Sequence, residues 1–480
     1  MTDRRSWLLL AALAFVLCAL AFVRPVDHDE SQYVAAAVLS ANRLLPYRDY
    51  AYFQTPLQPL AFAPVAAMAG DWAWPMLRIV DALLAAAAIG FVYAAARTAG
   101  ARNSMALASA GLMGACEPLL FGAGTARNDA LPLACLAAAL WLAMRQERAA
   151  TRRRALGIGL LLGAAAAAKL SYLIPLVAYL GAAAVERRRL PSVVVAGVLP
   201  AAALVASVAW RAPAEAWLGI WTFPHAAPGL WYGTDSWRMS FAARVVDTAK
   251  FMALGPALPA LAAVAAGMIG RGRLSARDRL LAAMLVAGLV AALAPSPTFR
   301  QYLAPMLPPL FLALALVWSE RAPAAGWRIV TVVFAAAGLA PSAVALADAA
   351  ENGPAMTRAM RDGAAIRTVM DRAHVVQTVA TLSPQYLPAT YRLVDPRFAP
   401  GPFYFRAQGL LDPMAEARAH LVSLARIDTG LAIRPEGILT GGGGVGDAPL
   451  DAALARWATG HGYRAVPVPG TGFRLFVRRP

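Results

Sequence analysis

The sequence predicts a mainly α-helical bundle with about eleven transmembrane helices, followed by a small α/β domain outside the membrane. Three observations support this fold class. The 480 residues are 59% hydrophobic and only 15% charged, with a mean hydropathy of +0.54. Apolar runs recur from residue 7 to about residue 347, and beyond Asp348 the chain becomes polar and rich in turn-forming residues. A soluble domain carries nearer a quarter charged residues, so the chain is predicted to be an integral membrane protein.

The apolar runs define the predicted helices in order. They cover residues 7–23, 74–96, 103–121, 129–145, 155–168, 171–186, 191–210, 249–270, 280–295, 303–319 and 328–347. The stretch 155–186 is too short for two full spans, each of which needs about 20 residues. We therefore predict a hairpin of two short helices with its apex at Lys169-Leu170-Ser171.

The net charge of +17 comes from arginine clusters in short loops, such as residues 145–154, 187–189 and 271–279. Such clusters mark the cytoplasmic side of a membrane protein, so the charge indicates orientation and not a nucleic-acid partner. The N-terminus is then cytoplasmic. The predicted domains are a membrane domain (1–347), with outer loops 24–73 and 211–248, and a periplasmic soluble α/β domain (348–480).

Local patterns suggest the elements of the C-terminal domain. "HVVQTVATL" and "FRLFVRR" have the composition of strands, whereas "MAEARAHLVSLAR" and "APLDAALARWATGHGY" show apolar faces at helical spacing. The glycine run 441–444 lacks the Gly-Lys-Ser/Thr ending of a phosphate loop and is predicted to be a flexible turn.

The acidic stretch Asp27-His28-Asp29-Glu30 follows the first helix directly. Asp29 with Gln32 resembles a capping box that would only begin the next helix. A divalent metal ion held by Asp27, His28 and Asp29 is a second interpretation. Asp27-His28-Asp29 also matches the Asp-x-Asp pattern of nucleotide-sugar transferases, but its predicted outer location excludes that donor class.

Several segments together resemble the polytopic GT-C class glycosyltransferases that use lipid-phosphate sugars. These include the bacterial aminoarabinose transferase, rhizobial lipopolysaccharide glycosyltransferases and protein O-mannosyltransferases. The similar segments are "DESQYVAAAVLSANRLLPYRDYAYFQTPLQPLAF", "TARNDALPLACLAAALWLAMR", "GAAAAAKLSYLIPL" and "FRQYLAPMLPPL". Their order and spacing carry the resemblance, which covers roughly residues 7–347.

The resemblance implies an inner-membrane enzyme that moves a sugar from a polyprenyl-phosphate donor to an acceptor hydroxyl, with inversion. The acceptor is a glycolipid, a glycan or a protein, and membrane lipids are further partners. No cofactor is required, or a divalent metal ion assists. The implied catalytic residues are Asp29, Glu30 and Asp129, with Asp29 as general base. The implied phosphate-binding residues are Lys169, Arg300, Tyr302 and Arg127.

Apolar surroundings are expected to raise the pKa of Asp29 toward the working pH. His225, Tyr52 and Trp221 are candidate acceptor or sugar contacts. Each of these residues also has a structural interpretation: Asp129 as a helix cap, Lys169 as a snorkelling side chain, Arg300 as an interfacial anchor and His225 as packing among tryptophans. At the level of the whole chain, the alternatives are a transporter or flippase, and a non-catalytic component of surface-polysaccharide assembly.

Overall fold

The computed structural model describes residues 4–271, 273–407, 409–442 and 446–478. Up to residue 352 the structure is helical. The helices are α1 (Arg4–Val23), α2 (Glu30–Ala41), α3 (Leu57–Ala69), α4 (Ala73–Thr98), α5 (Asn103–Gly114), α6 (Glu117–Ala123), α7 (Ala130–Arg148), α8 (Arg152–Ala168), α9 (Leu173–Val185), α10 (Pro191–Ala209), α11 (Pro213–Trp217), α12 (Phe223–Tyr232), α13 (Phe241–Ala253), α14 (Ala257–Ile269), α15 (Ala276–Leu293), α16 (Leu307–Glu320) and α17 (Ala325–Asn352).

Every predicted apolar segment coincides with helix, which confirms the mainly α fold class. Among the described residues, five helices are long and apolar enough to cross a membrane by length and composition. The number rises to seven if each of two bent pairs forms one span. These pairs are α5–α6, bent by 67°, and α13–α14, bent by 97°. The helical break at Lys169 lies where the apex of the hairpin was predicted.

Small residues allow close helix packing inside the bundle. An added Cβ at Gly159 of α8 would lie 2.0 Å from the Val194 carbonyl oxygen of α10. At Gly197 of α10 it would lie 2.2 Å from the Leu156 carbonyl oxygen. The two backbones are therefore in contact, the arrangement that small residues permit between membrane helices. The helix α16 runs through the centre and is almost entirely buried.

The C-terminal region has helices α18 (Ala355–Arg372), α19 (Pro402–Arg406), α20 (Pro413–Arg418), α21 (Ile427–Gly430) and α22 (Ala448–Gly460). Its strands are β1 (Val379–Thr381), β2 (Gly437–Thr440), β3 (Tyr463–Pro467) and β4 (Arg474–Arg478), in the sheet order β1-β2-β4-β3. The β1–β2 pair is parallel and the other two pairs are antiparallel, with Ile438 opposite Phe476. This sheet confirms the small α/β region.

Local predictions in this region were only partly correct. Both predicted strands and the helix at "APLDAALARWATGHGY" are present. The single helix predicted for "MAEARAHLVSLAR" was wrong, because helix α20 ends at Arg418 and His420 adopts a positive φ of 53°. The glycine run 441–444 lies partly outside the described residues.

The outer loop and the C-terminal region share one apolar core. Val34 of α2 and Trp74 of α4 belong to the same buried cluster as Ile366, Phe398 and Phe476. The Trp74 and Tyr386 rings meet edge to face, with centroids 5.1 Å apart. This packing positions the C-terminal region directly above the acidic stretch.

Candidate active site

The acidic stretch forms a tight turn before α2, and Asp29 does not cap that helix. Asp29 has helical backbone angles, and its side chain makes no capping hydrogen bond. Its amide instead donates to the Asp27 carboxylate at 3.0 Å. The capping-box interpretation is therefore wrong, because a helical Asp29 cannot direct its carboxylate back at the first free amides.

Glu30 is fully buried and its carboxylate accepts five hydrogen bonds. Two come from Arg78, at 2.7 and 2.5 Å, and one comes from the Trp74 indole. The amides of Asp27 and Ala126 supply the rest. A carboxylate with so many donors holds two loops together and has no capacity left for an acceptor proton.

Arg127 connects three carboxylates. Its guanidinium bonds to Asp27 at 2.7 Å, to Asp129 at 3.1 Å and, through the same nitrogen as Asp27, to Asp29. The Arg127 amide donates to Asp81 at 3.0 Å, next to the Ala126 amide held by Glu30. Two buried carboxylates thus position the loop that carries Arg127.

Lys169 extends this cluster into the bundle. Its ammonium group donates to Asp129 and lies 5.3 Å from the centre of the Tyr302 ring. Because the backbone is extended at Lys169 between two helices, the side chain can turn away from the axis of α8 toward this cluster. The predicted residues Arg127, Asp129, Lys169 and Tyr302 are therefore brought together.

A second buried ion pair holds Arg300. Glu117, which has no exposed surface, accepts two hydrogen bonds from Arg24, at 2.8 and 2.5 Å, and one from Arg300, at 2.9 Å. The Arg300 side chain is still 36% exposed, and its guanidinium lies 3.8 Å from the centre of the Phe121 ring. Arg300 therefore keeps donors that face open space.

These groups line one cavity of about 430 Å³. Its ionisable lining residues are Asp27, His28, Asp29, Arg127, Lys169, Arg300 and Arg406. Aromatic side chains cover much of the remaining wall, among them Phe53, Phe121, Phe223, Trp231 and Phe299. The cavity thus combines carboxylates, cations and apolar surface, which is the composition of a typical small-molecule site.

A second cavity, of about 360 Å³, lies where α4 and α7 end and α15 begins. Its lining includes one carboxylate, Glu147, which accepts a hydrogen bond from Arg189 at 2.6 Å. Of these two cavities, the first alone combines several carboxylates and cations.

The pKa values of the two loop carboxylates shift in opposite directions. Burial and the charge of Asp29 raise the pKa of Asp27 above its usual value. Burial also acts upward on the pKa of Asp29, but the charges of Arg127 and His28 outweigh it and lower that pKa. The expectation of a raised pKa at Asp29 was wrong, because the contact with Arg127 had not been foreseen.

Asp27, His28 and Asp29 fit a divalent metal ion by distance and donor type. One ligand atom from each lies within 4.8 Å of the others, and the His28 Nε2 atom is 3.1 Å from the Asp29 carboxylate. An imidazole and two carboxylates suit Mn²⁺ or Zn²⁺. The Arg127 guanidinium bonds to both carboxylates and would compete for the same lone pairs.

The remaining predicted residues lie outside the cavity lining. Tyr52 is buried and donates to Gln58 at 3.1 Å. The His225 ring packs against the Trp221 ring at a tilt of 33°, with centroids 4.0 Å apart, and its Nδ1 atom contacts the Trp221 carbonyl oxygen at 2.6 Å. Asp129 bonds to Arg127 and Lys169 and is separated from the cavity by them. Glu30 is buried beneath the loop that carries Ala126 and Arg127.

The tryptophans of the loop 211–248 suit either an interfacial belt or a sugar-stacking wall by sequence, and of these Trp231 lines the cavity. Sequence reasoning missed Tyr232 of α12, and Phe403, Arg406 and Ala407 at α19. "GPFYFRA" has no motif spacing that indicates a site, and only the packing of the C-terminal region over α12 brings it to the cavity. The aromatic and basic composition of "FYFR" was the one available signal.

Comparison with known proteins gives a family and a fold. Residues 52–297, just over half of the chain, match Glycosyltransferase family 87. ArnT from Cupriavidus metallidurans, solved with undecaprenyl phosphate, is 14% identical with a TM-score of 0.64, and the match covers 100% of both chains. The archaeal oligosaccharyltransferase AglB from Archaeoglobus fulgidus, solved with an inhibitory peptide and a dolichol-phosphate, is 12% identical with a TM-score of 0.52. That match covers 99% of this chain and 74% of AglB. No protein of curated function matches the sequence.

Proposed function

The chain belongs to glycosyltransferase family 87, and on this premise we propose that it transfers a sugar from a polyprenyl-phosphate donor to an acceptor hydroxyl. The observation that carries the proposal is the single cavity in which Asp27 and Asp29 face Lys169 and Arg300. Family membership favours an enzyme over a transporter, a flippase or a non-catalytic assembly protein. The proposed location is the outer face of the bacterial cytoplasmic membrane, with residues 348–480 in the periplasm.

The lipid nature of the donor is supported by the solved proteins of similar fold. ArnT binds undecaprenyl phosphate and AglB binds a dolichol-phosphate. In this chain Lys169, Arg300 and Tyr302 are the proposed phosphate contacts, and Arg127 is the fourth. Of these four, Arg300 has the most donors free for a phosphate, because its guanidinium donates one hydrogen bond, to Glu117, and faces the cavity.

Asp29 is the proposed general base. As the acceptor oxygen attacks the anomeric carbon, the bond from that carbon to the phosphate oxygen breaks and Asp29 takes the hydroxyl proton. The products are the glycoside, with inverted configuration, and polyprenyl phosphate. Phosphate leaves without a proton when cations stabilise its growing charge. The lowered pKa of Asp29 keeps it ionised, and Asp27, with its raised pKa, is the alternative base.

A divalent cation is an optional part of the site. Asp27, His28 and Asp29 would hold it, and it would supply positive charge close to the leaving phosphate. In that case His28 and both carboxylates would act as its ligands.

The test follows release of polyprenyl phosphate by protein in nanodiscs, given a panel of undecaprenyl-phosphate sugars and envelope glycolipids. Wild-type protein is expected to release undecaprenyl phosphate with at least one pair. Asp29→Asn should insert normally and lose turnover by a factor of about 10² or more, because an amide cannot take the proton. Near-normal turnover in Asp29→Asn, with loss in Asp27→Asn, would transfer the base role to Asp27. Parallel assays with EDTA and with added Mn²⁺ test whether turnover needs a divalent cation: loss of turnover in EDTA that Mn²⁺ restores would show that it does.

A further inference from the structure

The outer wall of the cavity contains an arginine from the C-terminal region. Arg406, the last residue of α19, lies with its guanidinium carbon 4.8 Å from the ring centres of both Trp231 and Phe403. Two aromatic contacts restrict the side chain to one region of space and attract its positive charge. The charge is therefore held at a defined position in the cavity wall.

The Arg406 guanidinium has one carboxylate partner among the described residues, and that contact is long. Asp447 is 3.6 Å away, within ion-pair range but beyond hydrogen-bonding distance. Within the described ranges we find no hydrogen bond from Arg406, although its side chain is only 15% exposed. A guanidinium has five N–H donors, and leaving them unmatched in a largely buried place costs free energy unless a ligand accepts them. Arg127 differs in this respect, because three carboxylates already occupy it.

Different residues connect Arg406 and the donor cations to the proposed base. From Asp29, one series runs through Arg127 and Asp129 to Lys169. In the other direction, the His28 imidazole contacts Asp29 at 3.1 Å, and its ring lies 6.0 Å from the ring of Phe403, which contacts Arg406. Lys169 and Arg406 therefore reach the proposed base through separate sets of contacts.

From this geometry we propose that Arg406 binds an anionic group, a phosphate monoester or a carboxylate, on the acceptor sugar. The inference rests on the proposed function. Displacement with inversion requires separate places for the acceptor and the leaving phosphate, and Arg406 lines the same cavity as Lys169 but is not among the contacts of the Arg127–Asp129–Lys169 cluster. Arginine suits the task, since its planar fork binds phosphate or carboxylate oxygens in pairs. Trp231 and Phe403 would then cover the faces of the sugar.

Three sugars of similar size serve as probes in ligand-observed NMR titrations of the full chain in nanodiscs: N-acetylglucosamine, N-acetylglucosamine 6-phosphate and glucuronate. Wild-type protein is expected to bind at least one anionic sugar tenfold or more tightly than the neutral one. Arg406→Met keeps the packing between the two rings and should abolish the preference. Arg406→Lys should retain part of it. The control Arg418→Met, at a side chain that is 66% exposed, should retain all of it.

Undecaprenyl phosphate is titrated in parallel to separate the two proposals. It should bind wild type and Arg406→Met equally. If the wild-type protein does not bind undecaprenyl phosphate, the proposed donor is wrong. The preference for anionic over neutral sugars still decides the role of Arg406 in that case. Equal binding of all three sugars by wild type, or an anion preference that persists in Arg406→Met, would overturn the inference. Loss of undecaprenyl phosphate binding in Arg406→Met would also overturn it, because Arg406 would then be a donor contact.

Discussion

At the scale of single residues, the charged groups differ in how far their hydrogen-bonding capacity is used. Glu30 accepts five hydrogen bonds and has no exposed surface. Arg300 donates one hydrogen bond to Glu117 and otherwise faces the cavity. A saturated group stabilises the fold, whereas an unsaturated one is able to bind a ligand. By this criterion Glu30 positions the site and does not take part in the reaction.

Substitutions of Lys169 test whether its ammonium group binds the donor phosphate. Lys169→Met keeps the apolar stem and removes the charge, so donor affinity should weaken by about 1–3 kcal/mol, the usual range for a charge-assisted contact. Lys169→Arg should restore less than half of this, because a planar guanidinium does not replace a compact ammonium beside Asp129. The measurement is undecaprenyl phosphate affinity in nanodiscs, with thermal stability checked separately.

Lys250 provides the matched control, since the chain has only these two lysines and Lys250 is exposed on α13. Lys250→Met should bind donor as wild type does. Unchanged donor affinity in Lys169→Met would reduce Lys169 to a partner of Asp129.

At the scale of elements, the site depends on short or broken helices held against long ones. The 3₁₀ turn Leu170–Tyr172 follows the break at Lys169, and the short helix α19 ends at Arg406. The long helices supply rigid support: α8 and α10 pack with their backbones in contact at Gly159 and Gly197. Lys169 and Arg406, whose side chains line the cavity, thus lie where regular helix ends.

The contact between α8 and α10 gives a stability prediction. Gly159→Ala adds a methyl group 2.0 Å from a backbone oxygen, so the helices must move apart, at a cost of about 1–3 kcal/mol. Gly181→Ala in α9 is the control, because a Cβ there meets nothing within 4 Å. The control should be neutral or stabilising by up to about 1 kcal/mol, since alanine favours helix over glycine. Thermal unfolding in detergent measures both variants, and equal midpoints would contradict the close packing.

At the scale of the whole molecule, the C-terminal region and the membrane bundle form one structure around the cavity. The core above the acidic stretch combines α2, α4, α18 and the sheet. The His420 imidazole contacts the Arg48 carbonyl oxygen at 3.0 Å, and an added Cβ at Gly401 would lie 2.3 Å from the Ser31 hydroxyl oxygen. The proposed domain division at residue 347 therefore separates two compositions but not two independent cores, and it falls inside α17.

This arrangement yields a topology prediction. The C-terminal region contacts the loop that carries Asp29, so we expect both on one side of the membrane, and the arginine-rich loops predict that this side is the outer one. Alkaline phosphatase fused after Pro480 should be active, and a reporter that works only in the cytoplasm should be silent there. As a control, the same reporters inserted in the loop 149–151 should show the opposite pattern. Reversed results at both sites would invert the proposed orientation.

Composition and periodicity alone determined the helical bundle, the break at Lys169 and the small α/β region. Apolar side chains leave water for the membrane, and every backbone N–H and C=O group there needs a hydrogen bond. Both requirements depend on consecutive residues, so the sequence alone reveals the helices that meet them. The order of motifs also located Asp29, Arg127, Lys169 and Arg300 as candidates before any contact was known.

Only the tertiary structure decided how these charges are used. Arg78 donates two hydrogen bonds to the Glu30 carboxylate. The charge of Arg127 lowers the pKa of Asp29, where the sequence predicts a raised one. Arg406, nearly 380 residues from Asp29 in the sequence, reaches the same cavity. The pKa of a carboxylate and the unmet donors of an arginine depend on neighbours within a few ångströms, which are brought there by packing between distant segments. Local sequence does not contain that information.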